Sequence, residues 1–306
     1  MKFPRADHRR HRKIKSCQCL LALSALIVTG TASAATPAPA PAQSVLFIGN
    51  SFTYGAHSPV WRYHADLVRD LNGDGVGGVP ALFKLFTQEA GLDYDVSLET
   101  VGGKTLKFHY TQKRAQIDHV WDHVVVQEYS TLSADQPGDP ATFKQYASKL
   151  ATMFRQQNLS VDIRLMATWS RPDQTYKPGG HWYGKPIDAM SNDLQKAYAD
   201  VAAGNPSIHS VIAVGSAFNR AIASGVADGN PYDGIRFNQI DLWAYDHYHA
   251  SMYGYYLEAL MDFGSITGKD PRSLGKHETA ANELGLSSEQ TEALQEVAYR
   301  QLHQVP

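Results

Sequence analysis

A serine hydroxyl attacks a carbonyl only when a base takes its proton, and an imidazole serves as that base when a carboxylate fixes its tautomer. This chain of 306 residues holds such groups in two distant places. Ser51 stands in Gly49-Asn50-Ser51-Phe52-Thr53, and Asp246 and His249 stand in Asp246-His247-Tyr248-His249-Ala250-Ser251. The oxyanion formed by the attack needs preorganised donors. Backbone N–H groups at Ser51 and Gly103, with the side-chain amide of Gln127, are of the right kind, and glycine at 103 lets the main chain come close to a reacting atom. A plainer reading is also open, in which Ser51 and Asp246 cap the helices that follow them.

The elements that must bring these groups together are legible as periodicity. From Ser44 onward, short β-branched runs alternate with longer segments of helical period, the pattern of an α/β protein with a mostly parallel sheet. Strands are expected at Val45–Gly49, Tyr94–Val101, His123–Glu128, Val161–Trp169 and Ser210–Val214. Helices are expected at Val60–Leu71, Pro80–Ala90, Leu106–Ile117, Ala141–Gln157, Ile187–Ala203, Met252–Phe263 and Ser288–His303. Ligand sites in open parallel sheets lie outside the carboxyl ends of the strands. The polar clusters fall there: Asn50-Ser51 after the first strand, Gly102-Gly103-Lys104-Thr105 after the second, and Gln127-Glu128 at the end of the third. The irregular stretch Ser170–Lys185 and its approach carry Trp169, Arg171 and Trp182, an aromatic wall that, with Asn50, would meet a sugar or an acyl group.

In these blocks the chain resembles the SGNH or GDSL hydrolase superfamily. Gly49-Asn50-Ser51-Phe52 is similar to its Gly-Asp-Ser-Leu block, Gly102-Gly103 to its glycine block, and Asp246-His247-Tyr248-His249 to its Asp-x-x-His block, in the family's order. The third block departs, with Gln127 where the family has Asn. The opening Phe-Ile-Gly-Asn-Ser-Phe-Thr resembles an exported bacterial subgroup. The resemblance spans most of Ser44 to Phe263. It implies a flavodoxin-like three-layer α/β/α sandwich with a five-stranded parallel sheet. It also implies ester hydrolysis through an acyl-enzyme on Ser51, with His249 as base, Asp246 orienting it, and no metal or organic cofactor.

The remaining features bound the setting. Residues 1–34 combine a basic start, an apolar run from Leu20 to Val28 that is too short to span a bilayer, and Ala32-Ser33-Ala34, which together read as a secretory signal peptide. Residues 35–43 form an Ala/Pro spacer, and 44–306 form the hydrolase-like domain. Both cysteines, Cys17 and Cys19, precede the apolar run, so the expected mature chain has no thiol. Seven of the 28 Lys and Arg and one of the 30 Asp and Glu lie in residues 1–34, which leaves a formal net charge of −8 on the rest. That argues against nucleic acid or an anionic membrane as partner. The expected partner is a small-molecule or polysaccharide ester met in the periplasm or outside the cell. Two rivals remain: a carbohydrate-binding member that has lost catalysis, and a metal-dependent hydrolase built on Asp246, His247 and His249. Asp70–Gly78 resembles most of a calcium loop, with Ala81 where the closing Glu belongs.

Overall fold

The computed structural model describes residues 41–304; the expected signal peptide, its cysteines and most of the spacer lie outside them. Six parallel strands form one sheet: β1 (Gln43–Gly49), β2 (Arg69–Asp70), β3 (Tyr94–Thr100), β4 (His123–Val126), β5 (Asp162–Ala167) and β6 (Ser210–Ala213). Their order is β2-β3-β1-β4-β5-β6, so β1 is flanked by β3 and β4. The chain therefore reverses its winding at β1, and the crevice outside the carboxyl ends of β1, β3 and β4 is the natural ligand site.

The sheet is buried on both faces, which its nearly continuous apolar strands require. Val45 and Phe47 of β1 pack towards α1 (Gly78–Glu89), α7 (Val214–Ala223), α8 (Met252–Thr267) and α10 (Ser288–His303). Leu46 and Ile48 point the other way, towards α2 (Leu106–Gln112), α4 (Ala141–Gln157) and α6 (Asp188–Ala203). In α4 the stripe of Phe143, Leu150 and Phe154 is buried to 1% exposure or less, as its spacing implies. The result is the three-layer α/β/α sandwich that the sequence leads one to expect. Short helices α3 (Arg114–Ile117), α5 (Pro172–Tyr176) and α9 (Thr279–Leu284) lie in its connections.

Three expectations are corrected. The sheet has six strands, not five, and the segment Val60–Leu71 is not a helix. It forms 3-10 turns at Pro59–Arg62 and Ala65–Leu67, then the short edge strand β2. His64 between the turns takes a left-handed φ of 39° and its Nε2 lies 2.9 Å from Glu283 Oε2, while Gly77 N–H donates to the Trp61 carbonyl at 3.1 Å. These distant partners outweigh local helical period. Helix α7 follows β6 directly and was not expected, although Val214, Ala217, Phe218 and Ala221 show its apolar spacing. Among the described residues, no helix is long and apolar enough to cross a membrane.

Candidate active site

Ser51 leaves the end of β1 in a tight turn. Thr53 and Tyr54 donate their N–H groups to the Asn50 carbonyl, and Ala56 donates to that of Ser51. From α8, the Tyr255 hydroxyl donates to the carbonyls of Ser51 (3.1 Å) and Ala56 (3.2 Å), which ties the turn to the helix that follows His249. Ser51 is 7% exposed.

The second segment is a loop closed on itself. Ala244 N–H donates to the His249 carbonyl and Ser251 N–H to the Leu242 carbonyl, and Ser251 then caps α8. A side chain at Gly254 would put a Cβ 2.5 Å from the Leu242 oxygen, so only glycine lets this helix start so close to the loop. Within the loop, Asp246 Oδ1 accepts the N–H groups of Tyr248 (3.1 Å) and His249 (3.0 Å), and Oδ2 lies 2.6 Å from His249 Nδ1. The carboxylate thus shapes the loop and fixes the ring at once. Burial raises the Asp246 pKa, but the donors from His249 and Tyr248 outweigh it and hold the group below its usual value. For His249, burial is the largest influence and lowers the pKa; Asp246 raises it, His57 and Arg171 lower it, and the net shift is downward, which favours the neutral form that can take a proton.

His249 Nε2 is buried and has no hydrogen-bond partner among the described residues. The Phe52 ring, next to Ser51, lies 5.5 Å from the His249 ring. Ser51, Asp246 and His249 therefore belong to one neighbourhood, with no hydrogen bond yet joining the serine hydroxyl to the imidazole. Catalytic contacts are often long before substrate binds.

Gly103 takes a left-handed φ of 69°, and a Cβ there would meet nothing within 4 Å. Backbone conformation alone therefore favours glycine at this position. Among the described residues, neither Ser51 N–H nor Gly103 N–H has an internal acceptor. The loop that carries Gly103 is held from both sides. Asn50 Nδ2 donates to the Lys104 carbonyl at 3.0 Å, and the buried Glu128 carboxylate accepts Leu106 N–H at the start of α2 and Tyr129 N–H at 2.7 Å.

Several residues expected to meet substrate are engaged in internal contacts. Gln127 is fully buried, with Oε1 accepting from Asn50 N–H (2.9 Å) and the Thr53 hydroxyl (3.2 Å) and its NH₂ turned to the Glu128 carbonyl. It braces the serine turn, with its amide engaged on both sides. Asn50, 1% exposed, spends its amide on the glycine loop and on Phe52 N–H. Trp169 is buried between Phe52 (ring centres 4.5 Å) and Phe218 (4.9 Å) and so belongs to the core. Trp182 is buried and donates to Asp193 at 2.8 Å. Arg171 forms a two-toothed pair with Asp173, donates to Ser130, and lies 3.5 Å above the Tyr248 ring, so its charge is used internally.

The metal reading is reshaped too. His247 packs its ring 4.3 Å from that of Tyr232, and the close set is His57, Asp246 and His249, whose ligand atoms lie within 4.8 Å of one another. The 2.6 Å contact with Asp246 takes up His249 Nδ1 and leaves Nε2 as the ring nitrogen that faces the site. At the calcium-like turn, Asp70 accepts the N–H groups of Asn72, Asp74 and Val76, and the Lys113 ammonium donates to Asn72 Oδ1 at 2.7 Å. Those oxygens serve the turn itself.

With the geometry in view, comparison with known proteins is informative about fold. A DUF4886-family protein from Bacteroides uniformis superposes with a TM-score of 0.58 over 85% of this chain and 94% of its own, at 18% identity. The two share a fold. SGNH and GDSL hydrolases recur among the solved structures that this chain resembles. They include a candidate SGNH hydrolase from Slackia heliotrinireducens (TM-score 0.47, 20% identity, 74% of this chain and all of that one). A candidate GDSL-like lipase from Parabacteroides merdae is another (0.49, 18%, 74% and 95%). No family model matches the chain, and no curated protein matches it in sequence.

His57, Tyr54 and Trp61 also reach this region, and the sequence reading missed them. His57 follows Ser51 by six residues, past Gly55, a spacing that a turn returning towards the serine would explain.

Proposed function

We propose that this protein is an exported serine esterase that hydrolyses carboxylic esters through an acyl-enzyme, on an acylated carbohydrate or a small ester. His249 Nε2 takes the proton of the Ser51 hydroxyl as its oxygen bonds to the ester carbon. The oxyanion is met by the N–H groups of Ser51 and Gly103. On collapse the ester C–O bond breaks and His249 returns the proton to the leaving alcohol. Water, deprotonated by His249, then attacks the acyl-serine; the acid departs and Ser51 regains its proton.

One observation carries the reading: an imidazole held by Asp246 at 2.6 Å, with its outer nitrogen buried and unpartnered beside the serine turn. A capping role for Asp246 explains the Tyr248 and His249 N–H contacts but leaves the ring contact without a purpose. The test is Ser51→Ala with 4-nitrophenyl acetate and a fluorophosphonate probe. Loss of labelling and a fall in kcat of about three orders of magnitude or more are expected, because the members of such a triad act as a unit. Undiminished turnover in that variant rejects Ser51 as nucleophile.

A further inference from the structure

Of the five tryptophans, Trp121, Trp169, Trp182 and Trp243 are at most 4% exposed, whereas Trp61 is 42% exposed. Its exposure is built, not slack. The 3-10 turn that carries it begins at Ser58, whose hydroxyl accepts Val60 N–H, and the Trp61 carbonyl accepts Gly77 N–H at 3.1 Å. The indole stacks on Tyr54 (ring centres 5.7 Å, 29° between planes), and the Arg62 guanidinium lies 5.3 Å from its centre.

Beside it opens a cleft of about 340 Å³ lined by Tyr54, Trp61, Arg62, Asp74, Thr100 and Gly102, together with Val76 and Val101. That volume is at the small end of ligand sites. Gly102 adjoins Gly103, and Tyr54 follows Ser51 by three residues, so the cleft opens next to the place where the ester would be attacked. Its far wall is the turn whose sequence resembles a calcium loop. Asp70 braces that turn from within, and Arg62 Nη1 donates to the carbonyls of Asp74 and Gly75.

We propose that this cleft is the subsite for the sugar ring whose hydroxyl carries the ester, an inference that rests on the serine esterase reading. An acyl chain is best met by walls that are apolar throughout. Here aromatic and valine surface is interrupted by a guanidinium and a carboxylate, which matches a pyranose: an apolar C–H face for Trp61, and ring hydroxyls for Arg62 and Asp74.

The experiment compares two substrates, partially acetylated xylo-oligosaccharides and 4-nitrophenyl acetate, whose leaving group lacks the sugar. Trp61→Ala lowers the ratio of kcat/KM on the saccharide to that on the aryl ester about tenfold, the loss expected for one aromatic contact. Trp61→Phe restores most of that ratio, and Asp74→Asn lowers it as well. An unchanged ratio in Trp61→Ala overturns the proposal, as does wild-type protein that cleaves the aryl ester through Ser51 and no acetylated saccharide. In that last case the esterase reading stands and the sugar subsite falls. If neither substrate is cleaved and the fluorophosphonate does not label, the esterase reading itself has failed and takes the subsite with it.

Discussion

His57 Nε2 stands 3.8 Å from Asp246 Oδ2, on the carboxylate oxygen that also holds His249. The residue adopts a left-handed φ of 60°, its Nδ1 lies 2.6 Å from the Tyr245 hydroxyl, and its ring centre lies 4.8 Å from that of His249. A second imidazole in strained backbone beside the base has an electrical consequence.

Positive charge on His57 disfavours a second positive charge on His249. Burial lowers the His249 pKa first, Asp246 opposes it, and His57 adds to the lowering. A base works only when neutral, so the acid limb of kcat/KM should lie below the ordinary histidine value of about 6.5. In His57→Gln the limb should move to higher pH. A profile that stays in place or moves down would show that His57 does not act on His249.

The close set of His57, Asp246 and His249 invites a test with a chelator. In the proposed reaction His249 Nε2 acts as a base, not as a ligand, so hydrolysis should not depend on a metal. Exhaustive dialysis against EDTA is expected to leave kcat unchanged, and added Zn²⁺ to inhibit by binding the Nε2 lone pair that the base needs. Activity lost on dialysis and restored by a metal ion would require a metal-dependent mechanism instead.

Gly103→Ala separates conformation from sterics. No atom lies within 4 Å of the added methyl, yet φ of 69° costs an alanine about 1–2 kcal/mol. The loop should relax away from that geometry and move its N–H, so kcat should fall about tenfold to a hundredfold with little change in KM. Steady-state kinetics at matched thermal stability decides it, and an unchanged kcat removes Gly103 from the oxyanion site.

Acid should stabilise this protein over a range where many proteins are indifferent. Burial pushes the carboxyls of Glu128 and Glu278 up to about 7 each, against backbone N–H donors that pull them down. Burial also raises Glu258 and Asp262 on α8. A carboxyl with a raised folded-state pKa binds its proton more tightly folded than unfolded. Its contribution is present below about 4.5 and is lost as pH climbs through about 7. Tm should therefore fall between pH 5 and pH 8, while activity rises as His249 becomes neutral. Glu128→Gln, which keeps an acceptor for Leu106 and Tyr129, should flatten the slope by on the order of 2 kcal/mol across that range. A Tm that climbs with pH over the same interval contradicts this account.

The α/β class, five of the six strands and the placing of Ser51, Gly103, Asp246 and His249 at strand ends or in the late loop were legible without coordinates. The reason is local. Continuous apolar runs specify strands buried on both faces, and glycine or polar breaks mark where they stop. What surrounds those residues was decided only by tertiary contact. Sequence cannot say which side of an aromatic faces water, so Trp169 and Trp182 read as a ligand wall and proved to be core, while Trp61 lay inside an apparent helix and is the exposed one. Nor can it say where an amide turns. Gln127 points inward because the N–H of Asn50 and the hydroxyl of Thr53, seventy-odd residues away along the chain, need an acceptor once buried. His57 entered the site the same way, through a turn whose direction is set by Tyr255 of α8 holding the carbonyls of Ser51 and Ala56. Burial and hydrogen-bond satisfaction belong to the packed chain as a whole, and residue order does not contain them until the layers close.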